Sequence, residues 1–295
     1  HDGVGRQRGR TFCRGAFHRL TSIIRVRSPA SRAVVPGGIQ IVVSVPSMSA
    51  GPVMNSPGAT AAASKTGVGS AGLARSRWTG RVTPLEAGRV EGGLATASPE
   101  YLRGLRELCD ANGILLVLDE VQRGLSRSGT LFAPDWAGVT PDVMGVAKGL
   151  GGGFPVGAVL ATERAAVGMT PGTHGSTFGG NLLAMAAVNA VLDVMLEPGF
   201  LDQVNRVAGL LRQRLEGVVG THPRIFAEQR GKGLLTGLRC HVPNTEMVEK
   251  LRHAGLITVA AGENVVRLLP PLIIDERQVA EATQILDKVA GQWKL

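Results

Sequence analysis

The sequence predicts an α/β fold: a large domain built on a mostly parallel sheet, followed by a smaller C-terminal α+β domain. Three observations lead to it. Short aliphatic runs alternate with helical periodicity from residue 98 onward, the pattern of a layered sheet with crossover helices. Two of those runs stop at residues that carry chemistry: 114-ILLVLDEVQRG-124 at Asp119 and 145-GVAKGLGGGFPVGA-158 at Lys148. After about residue 218 the order becomes hairpin, helix, strand, helix.

Each element has a local reason. Ser98 is placed to cap a helix, Pro99 suits its first turn, and 99-PEYLRGLRELCDAN-112 has helical periodicity up to Gly113. ILLVLD is a short branched-residue run, the signature of a buried strand. Residues 142-DVMGVAK-148 and 156-VGAVLAT-162 read as the next two strands, and 181–196 and 199–218 as helices. The C-terminal unit comprises 225-IFAEQRGKGLLTGLRC-240 as a strand or hairpin, 244-NTEMVEKLRHAG-255 as a helix, 264-NVVRLLPPLII-274 as a strand, and a closing helix from about Asp275 to Gln292. Asn244 and Asp275 are the expected caps of those two helices.

The 295 residues are 44% hydrophobic, enough for one large domain or two modest ones with real cores. The charge is uneven. Residues 1–84 hold 12 of the 32 Lys and Arg but only one of the 23 acids, Asp2. Residues 85–295 keep 20 basic and 22 acidic residues, so the overall +9 belongs to the N-terminal segment. That segment is rich in Arg, Gly, Ser, Ala and Pro, and 38-GIQIVVSV-45 is its one strand-like run. It can be read as a basic arm, as a transit peptide, or as a stretch without a native fold; its scarce aromatics and high glycine favour the last. Three units are therefore expected: an abnormal basic segment over 1–84, part of a cofactor-binding large domain over 85–218, and a small domain over 219–295.

Several function classes are disfavoured. No nucleic-acid motif accompanies the basic segment. No apolar run reaches the roughly 18 residues a membrane helix needs. Cys13, Cys109 and Cys240 are far apart, which fits reduced thiols in a cytoplasmic protein. The six histidines lack metal-ligand spacing, so no metal is expected. A P-loop is excluded, because there the lysine follows the glycines and precedes Ser or Thr.

In parallel α/β sheets, ligands sit at the carboxyl ends of strands. An acid there can pair with a cationic ring nitrogen, and a lysine in an apolar, glycine-lined site can lose its proton and attack an aldehyde. Glycines 149, 151, 152 and 153 clear space for a bulky group. Taken singly, Asp119 reads equally as a helix cap or an Arg123 partner, and Lys148 as a solvated strand-end charge.

Together, four stretches resemble the class III aminotransferases, fold type I enzymes that use pyridoxal 5'-phosphate. They are 118-LDEVQRGLSRSGTLFA-133, 147-AKGLGGGFPVGAVLAT-162, 174-HGSTFGGNLLAMAA-187 and 265-VVRLLPPLIIDE-276. The likeness runs from about residue 85 to the C-terminus. It implies that Lys148 links covalently to the cofactor and moves the proton, and that Asp119 keeps the pyridine nitrogen protonated. Glu120 belongs to the same cofactor-binding run, Val121 would pack on the ring face and Gln122 would bond the ring hydroxyl. Thr177 would bind the cofactor phosphate and Ser176 would meet substrate, both across a homodimer interface. Arg267 would clamp the substrate α-carboxylate.

Upstream the likeness thins. In 86-EAGRVEGG-93, Glu91 matches a family glutamate that would pair with Arg267 when a substrate lacks the carboxylate. In 15-GAFHR-19, Phe17 is matched to a ring-stacking aromatic and Arg19 to a substrate contact, although one family glycine is missing between His18 and Arg19. No Gly-Ser/Thr-Glu helix start of the kind that cradles the cofactor phosphate is found, which implies weakened cofactor affinity. The phrases HGSTFGGN and NVVRLLPPLII lean toward the acetylornithine group within the class. The implied activity is transfer of an amino group from N-acetylornithine to 2-oxoglutarate, in arginine biosynthesis. An impaired fragment, or a related ornithine, succinylornithine or 4-aminobutyrate aminotransferase, stays open here.

Overall fold

A computed structural model describes residues 93–169 and 172–294, together with the backbone of strands 39–44 and 82–86. Phe17, Arg19 and Glu91 lie outside the described residues.

The first sheet has five strands: β1 (Ile39–Ser44), β2 (Val82–Glu86), β3 (Leu115–Asp119), β4 (Val143–Val146) and β5 (Gly157–Thr162), in the order β1-β5-β4-β3-β2. β2, β3 and β4 are parallel, whereas β5 runs antiparallel to both β4 and β1. The α/β class stands, but the described sheet is mixed rather than mostly parallel. Connection length explains why. Residues 120–142 give β3 and β4 a crossover long enough for parallel pairing. Residues 147–156 do not, because a parallel return needs about a dozen or more.

Helix α1 (Pro99–Ala111) starts as expected. Ser98 accepts from the Tyr101 amide at 3.2 Å, and Gly113 leaves the helix at φ +63. Leu102 and Cys109 of α1 bury with Leu116, Leu118, Ala133 and Val139 in one cluster. A second, separate cluster joins Met144, Val146, Val156 and Leu160 to Ala184, Val188, Leu192 and Met195 of α2 (Leu182–Met195), which Asn181 caps.

Helix α3 (Phe200–Thr221) buries Val204, Val207, Leu211, Leu215 and Val218, one stripe at helical spacing. That stripe packs into the C-terminal core with Phe226, Leu238, Met247, Leu251, Val266 and Leu286. The second sheet follows the order β6-β7-β9-β8 and consists of β6 (Phe226–Lys232), β7 (Leu235–Cys240), β8 (Val259–Ala261) and β9 (Val265–Leu268). Helix α4 (Asn244–His253) and helix α5 (Glu276–Gly291) complete the unit.

Three details differ from the sequence reading. β9 stops at Leu268 instead of running to 274, since Pro270 and Pro271 offer no ladder N–H. β8 is an additional three-residue strand. Asn244 does not cap α4; its Nδ2 donates to Ala261 O and Val265 O at 2.9 and 3.0 Å and ties the helix to two strands. Asp275 does cap α5, in a reciprocal pair with Gln278. Among the described residues no single helix is long and apolar enough to cross a membrane.

Candidate active site at the carboxyl ends of β3 and β4

Strand register brings the two principal candidates together. Asp119, last in β3, is the register partner of Gly145 in β4, and the Glu120 amide donates to Gly145 O at 2.9 Å. Lys148 follows three residues later. On the other side Glu86, last in β2, is the register partner of Asp119. One strand-end edge thus collects Glu86, Asp119 and the Lys148 turn, where a twisted parallel sheet opens its crevice.

Both residues are held by local geometry. Asp119 is half-buried, and one of its carboxylate oxygens accepts from the Val121 amide at 2.9 Å, which fixes its orientation. Lys148 is exposed and has left-handed backbone, φ +49. A non-glycine residue there costs about 1–3 kcal/mol, a cost structures tolerate chiefly where a side chain must be aimed. The Lys148–Gly151 turn and Gly152, at φ +57, continue the bend. A Cβ on Gly152 would meet the Val191 side chain at 2.6 Å, so the turn closes tightly on α2.

The next residues spread in different directions. Val121 and Gln122 are half-buried. Gln122 Oε1 lies 3.5 Å from Arg267 Nη1, a long contact that links the loop after β3 to β9 across the two sheets. Arg267 Nε is buried with no hydrogen-bond partner. Glu120, the next residue, is fully buried on the Ala133 turn, with Oε2 accepting from the Ala133 amide at 2.8 Å. Burial pushes its pKa up to about 7, against the pull of that amide and of Arg123. Arg123, also buried, donates to Ala95 O at 2.8 Å.

Ser176 and Thr177 sit on the exposed stretch before α2, apart from the Asp119–Lys148 edge in sequence and burial. Phe178, Leu182 and Leu183 beside them are 56%, 74% and 67% exposed. Among the described residues no group of His, Cys, Asp and Glu could hold a metal ion.

Sequence reasoning missed a set of residues in the loop after β3. Leu125 and Ser126 are consecutive non-glycines at φ +57 and +67. They turn Arg127 into the C-terminal unit, where its Nη1 donates to Leu234 O and Pro270 O while its own carbonyl accepts from the Leu234 amide at 2.9 Å. In the sequence Arg127 looks like a solvated charge in a Gly/Ser loop, and no local signal marks it.

The donor set suits the ring side of pyridoxal phosphate. It offers a fixed carboxylate, a strained lysine one strand away, a side-chain amide, and a guanidinium whose buried Nε lacks a partner.

Comparison with known proteins agrees with the geometry. The family description for aminotransferase class-III matches residues 84–290. Acetylornithine aminotransferase 1 of Bradyrhizobium diazoefficiens is 55% identical over 201 residues, 68% of this chain and 50% of that protein. Acetylornithine aminotransferase of Rhodobacter capsulatus is 57% identical over 201 residues, 68% of this chain and 51% of the other. Among solved structures, N-acetylornithine aminotransferase from Stenotrophomonas maltophilia K279a superposes with a TM-score of 0.65 at 34% identity, covering 72% of this chain and 56% of that one. Ornithine delta-aminotransferase of Plasmodium falciparum gives 0.67 at 34% identity, with 72% and 56% covered. The chain spans about half the length of the curated relatives it matches. With the mixed first sheet, the strand-end lysine and a match over 84–290, the chain belongs to the class-III aminotransferase family.

Proposed function

We propose that this chain carries the ring-binding and carboxylate-binding parts of a pyridoxal-phosphate aminotransferase that passes an amino group from N-acetylornithine to 2-oxoglutarate. The observation that carries the reading is the register of β3 and β4, which sets Asp119 beside the Lys148 turn at one sheet edge. The class is pyridoxal-phosphate dependent, and relatives named for acetylornithine support the substrate.

Bound at this edge, pyridoxal phosphate would supply an electron sink and an amino-group carrier. The chain's own residues have separable tasks. Asp119, oriented by the Val121 amide, holds a proton on the ring nitrogen. Lys148 Nζ anchors the cofactor and carries a proton to and from the substrate carbon; its strained backbone limits where that nitrogen can sit. Val121 covers a ring face and Gln122 bonds the ring hydroxyl. Arg267 receives the substrate α-carboxylate, which gives its buried Nε a partner. Ser176 and Thr177, exposed on this chain, serve the site of a second copy in a homodimer, and the apolar Phe178, Leu182 and Leu183 lie on the side such a copy would cover. A cytoplasmic location fits the free, buried Cys109 and Cys240.

The test is borohydride trapping of added pyridoxal phosphate, followed by peptide mapping. The expected label is on Lys148 and is lost in Lys148→Ala. A label on another lysine, with cofactor still bound, removes the assignment. A donor panel of N-acetylornithine, succinylornithine, ornithine and 4-aminobutyrate then decides the substrate; preference for 4-aminobutyrate rejects the acetylornithine reading, and absence of turnover with trapping intact identifies an impaired chain.

A further inference from the structure

We propose that Arg127 is a positioning residue: its guanidinium fixes β9, and with it Arg267, against the Asp119–Lys148 edge. The inference deepens the proposed function and rests on Arg267 receiving the substrate carboxylate.

The connection is continuous and physical. Leu125 packs over the Lys148 turn, where its Cβ lies 3.7 Å from the position a Cβ on Gly149 would take. Leu125 and Ser126 then reverse the chain in left-handed backbone. Arg127 follows, and its Nη1 serves two carbonyls of the second sheet at once. The close one is Pro270 O, three residues beyond Arg267; Leu234 O, in the β6–β7 turn, is a long contact at 3.4 Å. The Leu234 amide returns a bond to Arg127 O at 2.9 Å. Gly233 lets the two backbones meet: at φ +62, a Cβ there would lie 2.6 Å from Ser128 C and 2.7 Å from Arg127 O. Side chain and main chain of Arg127 are therefore both bound into the unit that carries Arg267.

That anchoring matters because the direct link is slack. Arg267 meets Gln122 in the loop after β3 at 3.5 Å, too long to set a position firmly. A bidentate grip on a carboxylate tolerates little error, and a displacement of about 1 Å costs on the order of a hundredfold in a positioned reaction. Arg127 bonds Pro270 O itself, where β9 has already left its ladder with β7. The next tie along this segment is Leu272, a partly buried side chain packed on the cluster of Met144, Val146 and Leu160.

The experiment compares the chain with Arg127→Met and Arg127→Lys by amide hydrogen exchange, and measures binding of N-acetylornithine and N-acetylputrescine to the cofactor-loaded protein by absorbance. These two amines differ only in the α-carboxylate. In Arg127→Met, amides of 234–236 and 266–269 should exchange about tenfold faster or more while α1 and α5 stay unchanged. N-acetylornithine should bind about tenfold weaker or more, with N-acetylputrescine unaffected. Arg127→Lys, which keeps one cationic donor able to reach a single carbonyl, should fall between. Unchanged exchange at 266–269 overturns the proposal, as does a rise spread evenly over both sheets or equal weakening of both amines. If Arg127→Met fails to fold, Arg127→Lys is judged by the same criteria. Should the parent chain fail to take up cofactor, the functional reading fails, and the exchange pattern alone still judges Arg127.

Discussion

Replacing Glu120 with Gln separates a buried charge from the fold that surrounds it. The Glu120 side chain is fully buried, one oxygen accepts from the Ala133 amide, and the other, Oε1, has no hydrogen-bond partner. Its pKa stands at about 7 against an ordinary value of 4.5. The folded state therefore holds a proton that the unfolded state releases. Stability from this residue is fully present below about pH 4.5 and is lost as pH rises toward the folded value of about 7. At about 1.4 kcal/mol per unit, a shift of this size is worth roughly 3 kcal/mol across that window. Gln keeps an oxygen for the Ala133 amide and has nothing to ionise. Urea unfolding of both proteins at about pH 5 and about pH 8 isolates the effect, because every other titrating group is shared. The parent should lose about 2.5 kcal/mol relative to Glu120→Gln between those two pH values, since part of the effect is already spent at about pH 5. Equal slopes would show that Glu120 ionises in place at no cost, and that its burial is relieved by partners such as Arg123.

Two further perturbations test the frame. Asp142, with a side chain 5% exposed, accepts from the Leu116 amide at 2.9 Å and pairs with Arg106 and Arg164, joining β3, α1 and the short helix Glu163–Ala166 after β5. Burial alone would raise its pKa, but Arg164, the Leu116 amide and Arg106 outweigh it and hold it below the usual aspartate range. Stability from Asp142 is therefore present above about pH 4 and lost as pH falls through its lowered value; Asp142→Asn should cost about 3 kcal/mol at neutral pH and flatten the acid limb of the unfolding curve, as denaturant titration would show. Gly233→Ala would force a side chain into left-handed backbone against Ser128, Arg127 and Gly129, all main-chain contacts under 3.0 Å; a loss of about 3 kcal/mol in unfolding free energy is expected, and a loss below about 1 kcal/mol would mean the two loops are not in van der Waals contact.

What was legible in the sequence was local. Ser98, Pro99 and Gly113 mark both ends of α1, because a cap, a fixed φ and a left-handed stop act within one turn. Asp275 and Gln278 mark α5 for the same reason. The Asp119–Lys148 edge was legible because each residue ends its own aliphatic run, and short parallel strands bring such ends together. The errors arise where a distant group decides. Asn244 has the sequence of a cap, yet β8 and β9 offer it two open carbonyls and win it. The bond from Glu120 to an amide thirteen residues away is likewise invisible in the local pattern. β9 fell short because the proline pair outranks the aliphatic pattern around it.

Arg127 is the extreme of that series. Its carbonyl partners lie 107 and 143 residues downstream. Nothing in LSRSGT distinguishes a guanidinium that joins two sheets from one that faces water. The backbone does distinguish them, since two successive left-handed non-glycines are a cost that a free loop would shed. Strain and long-range bonds mark the same residues here, Leu125 through Gly129 on one side and Gly233 on the other. The residues that make this family recognisable lie on the strand ends, and Arg127, which bonds the second sheet, lies in the loop just after them.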